Sequence, residues 1–163
     1  MLIKIKKNRT FIFNDFEFKC AIGKSGLKKN KKEGDGATPI GFFSFDKLYY
    51  RADRIKKIYT HLKCKKIKKN MGWCNNPNDK KYNKEFNLKS GKKGEKLFRK
   101  DYKYDLFVPI NYNTNPVIPN KGSAIFLHLT KKYKPTAGCI GLKLNDFLFI
   151  LKFIKANTKI KIA

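Results

Sequence analysis

One stretch constrains the fold more than any other: Gly122 to Leu144, G-S-A-I-F-L-H-L-T-K-K-Y-K-P-T-A-G-C-I-G-L-K-L. An apolar run, Ala124 to Leu127, ends at His128. A basic loop closed by Pro135 follows, and Thr136-Ala137-Gly138-Cys139 leads into a second apolar run. The pattern predicts two strands joined by a loop, with an imidazole at one mouth and a thiol at the other. A return of eleven positions can bring the two side chains within hydrogen-bond reach. That matters because a thiol is a poor nucleophile until a neighbouring base takes its proton. Gly138 permits an unusual backbone geometry and a close approach by substrate. Backbone N–H groups around Gly138 and Cys139 are expected to hold an oxyanion. A cysteine in an apolar strand is more often a small core residue, and a lone histidine is usually structural. The pairing of the two across a Pro/Gly-marked loop is what favours chemistry.

The rest of the chain reads as a β-rich fold. At 163 residues it is expected to be one domain, residues 1–163, with room for a real core. Residues 1–23 predict a β-meander. Ile3 and Ile5 alternate with lysines, Phe11 and Phe13 alternate next, and Asn14-Asp15 signals a two-residue turn before Phe16 and Phe18. Cys20 alternates with Phe18 and Ile22, which marks it as core. Asp35-Gly36 closes a basic loop, and Thr38-Pro39 sets the entry of a strand over Ile40 to Phe45.

Residues 46–105 are the least regular and read as a loop-rich central insertion on the substrate side. Tyr49-Tyr50-Arg51-Ala52-Asp53-Arg54 is either an Arg–carboxylate cluster or a solvated face. Residues 56–71 fit a strand or a short helix, and Glu95 to Tyr102 predicts another short helix. Leu106 to Ile110 predicts a strand. After Cys139 the strand continues to Leu144, where Asn145 is the expected cap of a C-terminal helix packed on the sheet. Phe147, Leu148, Leu151 and Ile154 form its core stripe, and Thr158 to Ile162 closes the fold as a last strand.

The cysteines and the charge exclude several classes. His61, Cys64 and Cys74 form H-x2-C-x9-C, which lacks the fourth ligand of a structural zinc site, so no metal is expected. A Cys64–Cys74 disulfide is open, given an oxidising compartment. The net charge of +27 attracts polyanions. Almost all of that charge is lysine, as A/T-rich coding would give, and no zinc finger, helix-turn-helix or RNA-binding signature accompanies it. No specific nucleic acid partner is expected. There is no apolar run of membrane-spanning length, and the start, M-L-I-K-I-K-K, is strand-like rather than a signal peptide.

His128 followed by Thr136-Ala137-Gly138-Cys139-Ile140 resembles the signature of the L,D-transpeptidase catalytic domain (YkuD) family. Glu33-Gly34-Asp35-Gly36-Ala37-Thr38-Pro39-Ile40-Gly41-Phe42-Phe43 is similar to that family's G-D-G-x-T-P-x-G-x-F segment. Gly72-Trp73-Cys74, Tyr82-Asn83, Glu95-x-Leu97 and Tyr104-Asp105 resemble landmarks of one subgroup. The commoner motif has a His before the Gly-Cys pair and an Arg two residues after the Cys; here those positions are Ala137 and Gly141.

The resemblance implies a mainly β fold, a small sandwich or curled mixed sheet. It implies Cys139 as nucleophile and His128 as base, acting on peptidoglycan stem peptides without metal or organic cofactor. Gly138, Thr136, Gly36, Thr38, Trp73, Tyr82 and Asn83 are the expected oxyanion and substrate-binding residues. A monomer in the cell envelope, either periplasm or wall, is expected. The alternative is a non-catalytic basic module that holds anionic wall polymer or nucleic acid. Thiol reactivity separates the two, because a catalytic Cys139 is expected to alkylate faster than Cys20, Cys64 or Cys74.

Overall fold

Strand alternation builds the outer layer. The computed structural model describes residues 1–92 and 94–163. On β1 (Leu2–Ile5) and β2 (Thr10–Phe13), Ile3, Ile5, Phe11 and Phe13 are buried while their neighbours point outward. Asn14, at φ 50, turns the chain into β3 (Phe16–Lys19). Two short strands follow, β4 (Leu27–Lys28) and β5 (Thr38–Pro39), paired parallel, and then β6 (Gly41–Ser44).

The central segment supplies β7 (Leu48–Tyr50), β8 (Cys64–Lys66), β9 (Met71–Trp73), β10 (Glu85–Asn87) and β11 (Glu95–Lys96). After it come β12 (Leu106–Pro109), β13 (Phe126–Leu129) and β14 (Ile140–Leu142). Among the described residues one α-helix, α1 (Leu144–Leu151), precedes the last strand, β15 (Lys159–Ile162).

The first sheet runs β3-β2-β1-β15-β6, so the last strand lies inside it, parallel to the first, with Ile3 opposite Ile160 and Ile5 opposite Ile162. The second runs β14-β13-β12-β7-β8. Its strands β12 and β13 are buried on both faces, which explains why their sequences are continuously apolar rather than alternating. One face carries Leu106, Val108, Leu127 and Leu129 into a core shared with the first sheet and with Phe147, Ile150 and Leu151 of α1. The other face carries Phe107 and Phe126 into a second, aromatic core with Tyr49, Trp73, Leu97 and Tyr104, and Cys139 belongs to it. The small sheet β10-β9-β11 covers this second face.

The Phe126 ring is fully buried, 4.7 Å from Phe107 and edge-on to Trp73 at 5.0 Å. Phe126→Ala is therefore expected to cost about 3–5 kcal/mol. A urea titration reads this as a lower midpoint with an unchanged slope.

Three expectations from the sequence need correcting. The helix over residues 95–102 does not form. Its carbonyls are taken by arginines from elsewhere in the chain: Arg51 donates to Arg99 O, and Arg54 donates to Asp101 O and Lys100 O. This also decides the Tyr49–Arg54 question, because Arg51 is buried and pairs bidentately with Asp53, while Arg54 pairs with Asp105. Helix α1 starts earlier than Asn145, since β14 ends at Leu142 and only Lys143 makes the turn, without a side-chain cap. Finally, β13 and β14 are parallel neighbours rather than arms of a hairpin. The intervening chain crosses over, with Thr136 bridged to Gly23 on the way.

Candidate active site

Parallel pairing puts the thiol and the imidazole on one face of one ladder. His128 lies opposite Gly141, and Leu127 lies opposite Ile140, so Cys139 stands two positions from the residue facing His128. Side chains two apart on a strand share a face. Both residues line a cleft of about 710 Å3, and both are more than nine-tenths buried. Thr136 and Ala137 form part of its rim.

The imidazole is neutral and oriented. His128 Nδ1 lies 2.8 Å from Leu129 O. A carbonyl can only accept, so Nδ1 carries the proton and Nε2 keeps its lone pair. Burial pushes the His128 pKa down from 6.5 to about 4, with Lys103 and Arg99 adding to the effect and the Leu129 carbonyl opposing it. Tyr104 packs edge-on against the ring at 5.6 Å.

The thiol is also neutral. Burial pushes Cys139 up from 9.0 to about 12, and Glu95 pushes the same way, against the Phe126 N–H and the nearby lysines. Its Sγ donates to Ala124 O at 3.2 Å and accepts from Phe126 N at 3.4 Å, so in the resting site it bonds backbone rather than the imidazole. This reverses the alkylation order expected from the sequence. Exposed Cys64 is now expected to react with iodoacetamide before Cys139, as mass mapping after brief treatment would read.

The turn before Cys139 is fastened from three sides. Thr136 Oγ1 donates to Cys139 O at 2.6 Å and accepts from Gly138 N at 3.1 Å. The Gly138 N–H is thus already engaged. The Cys139 N–H has no hydrogen-bond partner among the described residues, which leaves it as the backbone donor of the turn. Gly138 has φ +143, and a Cβ there would lie 2.7 Å from Ala37 O. Thr38, fully buried, donates through Oγ1 to Gly138 O at 2.8 Å and accepts from Gly23 N at 2.8 Å. Gly36, at φ +68, sits in the loop that carries Thr38 there, and Asp35 caps that loop by accepting from Ala37 N. Thr38→Val would leave a buried carbonyl and a buried N–H unpaired, at about 1–3 kcal/mol each. Thermal melts should show the loss, and Thr38→Ser should recover most of it.

Trp73, Tyr82 and Asn83 do not line the cleft; they stand behind it. Asn83, at φ 55, uses its whole amide. Oδ1 accepts from Trp73 Nε1 and Ala124 N, each at 3.0 Å, and Nδ2 donates to Tyr112 O and Asn113 O. It thereby holds Ala124 at φ 53, the residue whose carbonyl receives the thiol. Tyr82 donates to Glu33 and accepts from Gly122 N.

Several cleft residues were not among the expected site residues. Glu95 accepts a hydrogen bond from Tyr104, and Lys103, Lys131, Lys132 and Lys134 border the opening. Lys131, Lys132 and Lys134 belong to the basic loop before Pro135, while Glu95 and Lys103 come from other segments, and nothing local in the sequence marks the cleft they share. Cys20 and Cys74 are buried, and all four cysteines are free.

What the fold and the pair define together is a β-sheet scaffold that presents one thiol and one imidazole to a single cleft. The L,D-transpeptidase catalytic domain (YkuD) model matches residues 2–162, and the chain belongs to that family. No curated protein matches it. Among solved structures, it resembles Bd1075 of Bdellovibrio bacteriovorus with a TM-score of 0.51 at 17% identity, over 99% of this chain and 47% of that one. It also resembles the helical cell shape determining protein Pgp2 from Campylobacter jejuni, with a TM-score of 0.47 at 16% identity, over 99% of this chain and 46% of that one. The chain spans about half the length of these structures, and at 17% identity the likeness to Bd1075 is one of fold.

Proposed function

We propose that residues 1–163 act as one catalytic unit, a cysteine-dependent L,D-transpeptidase working on peptidoglycan stem peptides in the cell envelope. The observation that carries this reading is the neutral His128, whose Nε2 lone pair shares a sheet face and a cleft with the Cys139 thiol. Sγ attacks the carbonyl on the L-centre side of the terminal D-residue while Nε2 takes the thiol proton. The same imidazolium then protonates the departing amine, and the D-amino acid leaves a thioester on Cys139. An amine of a second stem peptide displaces the thiolate to give a cross-link; water displaces it to give the L,D-carboxypeptidase product. Thioester exchange of this kind requires no metal or organic cofactor.

The Cys139 N–H faces the developing oxyanion, and Thr136 and Thr38 hold that turn. The lysines at the opening attract the carboxylates of the stem peptide. The fold of a family named for this reaction supports the assignment.

The direct test is intact mass after mixing with a tetrapeptide stem. An adduct on Cys139 that lacks the terminal D-residue is expected, and Cys139→Ala should show none. No adduct with the native protein would sink the acyl-enzyme.

The pH profile gives an independent check. Because the cleft holds His128 near 4 rather than 6.5, the base stays unprotonated at pH 5. The neutral form of an ordinary imidazole would fall about 25-fold between pH 7 and pH 5. The rate kcat/KM is therefore expected to stay nearly level across that window, and an acid limb centred at 6.5 would contradict the buried base. The same depression acts on stability. The unfolded chain takes up this proton first, so the contribution is present above about 6.5 and is lost as pH falls toward 4.

A further inference from the structure

Carboxylates are scarce here and nearly always neutralised. The chain has 39 Lys+Arg against 12 Asp+Glu. Among the described residues Asp35, Asp46, Asp53, Asp79, Glu85, Asp101 and Asp105 each pair with a lysine or arginine. Asp15 and Glu17 are exposed, and Asp146 sits in the first turn of α1, where the helix dipole favours it. That leaves Glu33 and Glu95. Both line the catalytic cleft, and neither pairs with a cation among the described residues. Each takes a tyrosine hydroxyl instead, Tyr82 on Glu33 and Tyr104 on Glu95. A phenol donor fixes a carboxylate without cancelling its charge. Arg99 and Lys103 reach the same cleft, yet Arg99 is held by Asp101 in a bidentate pair and Lys103 makes no salt bridge to Glu95.

An independent feature lies on the same wall. Ser123 is 8% exposed and lines the cleft, and its Oγ lies beside the Tyr82 hydroxyl without the distance and angle of a hydrogen bond. Buried polar atoms are seldom left so, and those that are call for an absent partner. Ser123 precedes Ala124, whose carbonyl receives the Cys139 thiol. Glu95 is near enough to Cys139 to oppose its ionisation, and Glu33 near enough to Glu95 to do the same.

We propose that Glu33, Glu95 and Ser123 form a cation subsite beside the thiol that receives a primary ammonium group of the stem peptide. An ammonium has three donors and no acceptor. The site offers two charged acceptors, each held by a tyrosine, and one neutral acceptor without a partner. A metal ion fits less well, since no group of three His, Cys, Asp or Glu among the described residues is placed to hold one. Burial and the neighbouring Glu33 push the Glu95 carboxyl above its usual range, the state of an acid whose counter-charge has yet to arrive. The inference rests on the stem-peptide reading above. The ammonium has two possible sources there: an amine-bearing side chain on the donor residue that acylates Cys139, or the amine of the acceptor that resolves the thioester.

The test compares donor tetrapeptides whose side-chain amine is free or N-acetylated, with the native protein and with Glu33→Gln, Glu95→Gln and Ser123→Ala. Glutamine keeps the tyrosine hydrogen bond and removes only the charge. For the native protein, acetylation is expected to lower kcat/KM for acyl-enzyme formation at least tenfold. Each Gln variant should lose about as much on the free-amine donor and little more on the acetylated one. If the variants lose nothing in acylation and instead raise the concentration of amine acceptor needed for cross-linking, the acceptor is the source. Equal rates on both donors, with the variants unchanged in both steps, would overturn the subsite while leaving the acyl-enzyme intact.

Calorimetric titration of Cys139→Ala with the two peptides separates the remaining cases. At least tenfold tighter binding of the free amine without any acyl-enzyme in the native protein would keep the subsite and remove the chemistry. Equal affinities would remove the subsite. No binding of either peptide would remove both.

Discussion

Cys139→Ala and His128→Ala are each expected to abolish turnover, by about 10^4-fold or more, while leaving the fold in place. Both side chains sit on the cleft face of a ladder whose hydrogen bonds are made by backbone, so truncating either removes no strand pairing. His128→Ala deletes the Nε2 acceptor and leaves a thiol that burial holds at about 12, so almost none of it ionises unaided near neutral pH. The double variant should be little worse than either single one, because base and nucleophile act as a unit. Far-ultraviolet dichroism and the melting temperature would confirm the fold beside the kinetics. A His128→Ala protein with most of its activity would mean that another base takes the proton.

Gly138→Val is expected to lower turnover by a hundredfold or more and to destabilise the protein by about 1–3 kcal/mol. Two effects combine there. The residue sits at φ +143, a conformation that side-chain-bearing residues rarely adopt, and its Cβ would lie 2.7 Å from the Ala37 carbonyl, which is backbone and cannot swing away. Relief of that contact must displace either the Thr38 clamp or the Cys139 N–H. Gly26→Ala is the control, since Gly26 has φ +73 with nothing within 4 Å of its Cβ position and so reports strain alone. If Gly138→Val and Gly26→Ala prove equally active, the turn does not govern the chemistry.

Different parts of this arrangement were legible in the sequence for different reasons. The thiol and imidazole were, because each ends or begins an apolar run and the loop between them is marked by Pro135 and Gly138. Their parallel pairing was not, since periodicity shows strands but not direction. Gly36, Thr38, Trp73, Tyr82 and Asn83 were picked out by resemblance, but the hydrogen bonds of Thr38, Trp73 and Asn83 turn inward, to the Gly138 turn, to Ala124 and to the 112–113 carbonyls, while Tyr82 holds Glu33. Nothing in the string distinguishes an amide that meets substrate from one that fastens a strained alanine. Glu33 and Glu95 both fall in segments quoted for the resemblance, but their partners were hidden by distance, because the tyrosines that hold them lie 49 and 9 residues away. The expected helix after Glu95 failed for a similar reason, as donors near 50 claimed carbonyls near 100.

The parallel β13–β14 ladder also divides the site into parts of very different mobility. Its floor is a stretch of sheet buried on both sides, and such ladders open only when much of the domain unfolds. One wall, carrying Lys31 and Glu33, is tied down through Asp35 and Tyr82; the other is the lysine loop from Lys131 to Pro135. Amides of Phe126, Leu127 and Ile140 should therefore exchange with solvent at the rate of global unfolding, and those of the lysine wall orders of magnitude faster. The reacting atoms would then keep a fixed spacing while the lysine wall moves around polymers of different bulk. Admission of substrate and precision of chemistry would reside in separate pieces of chain, and a change to one need not disturb the other.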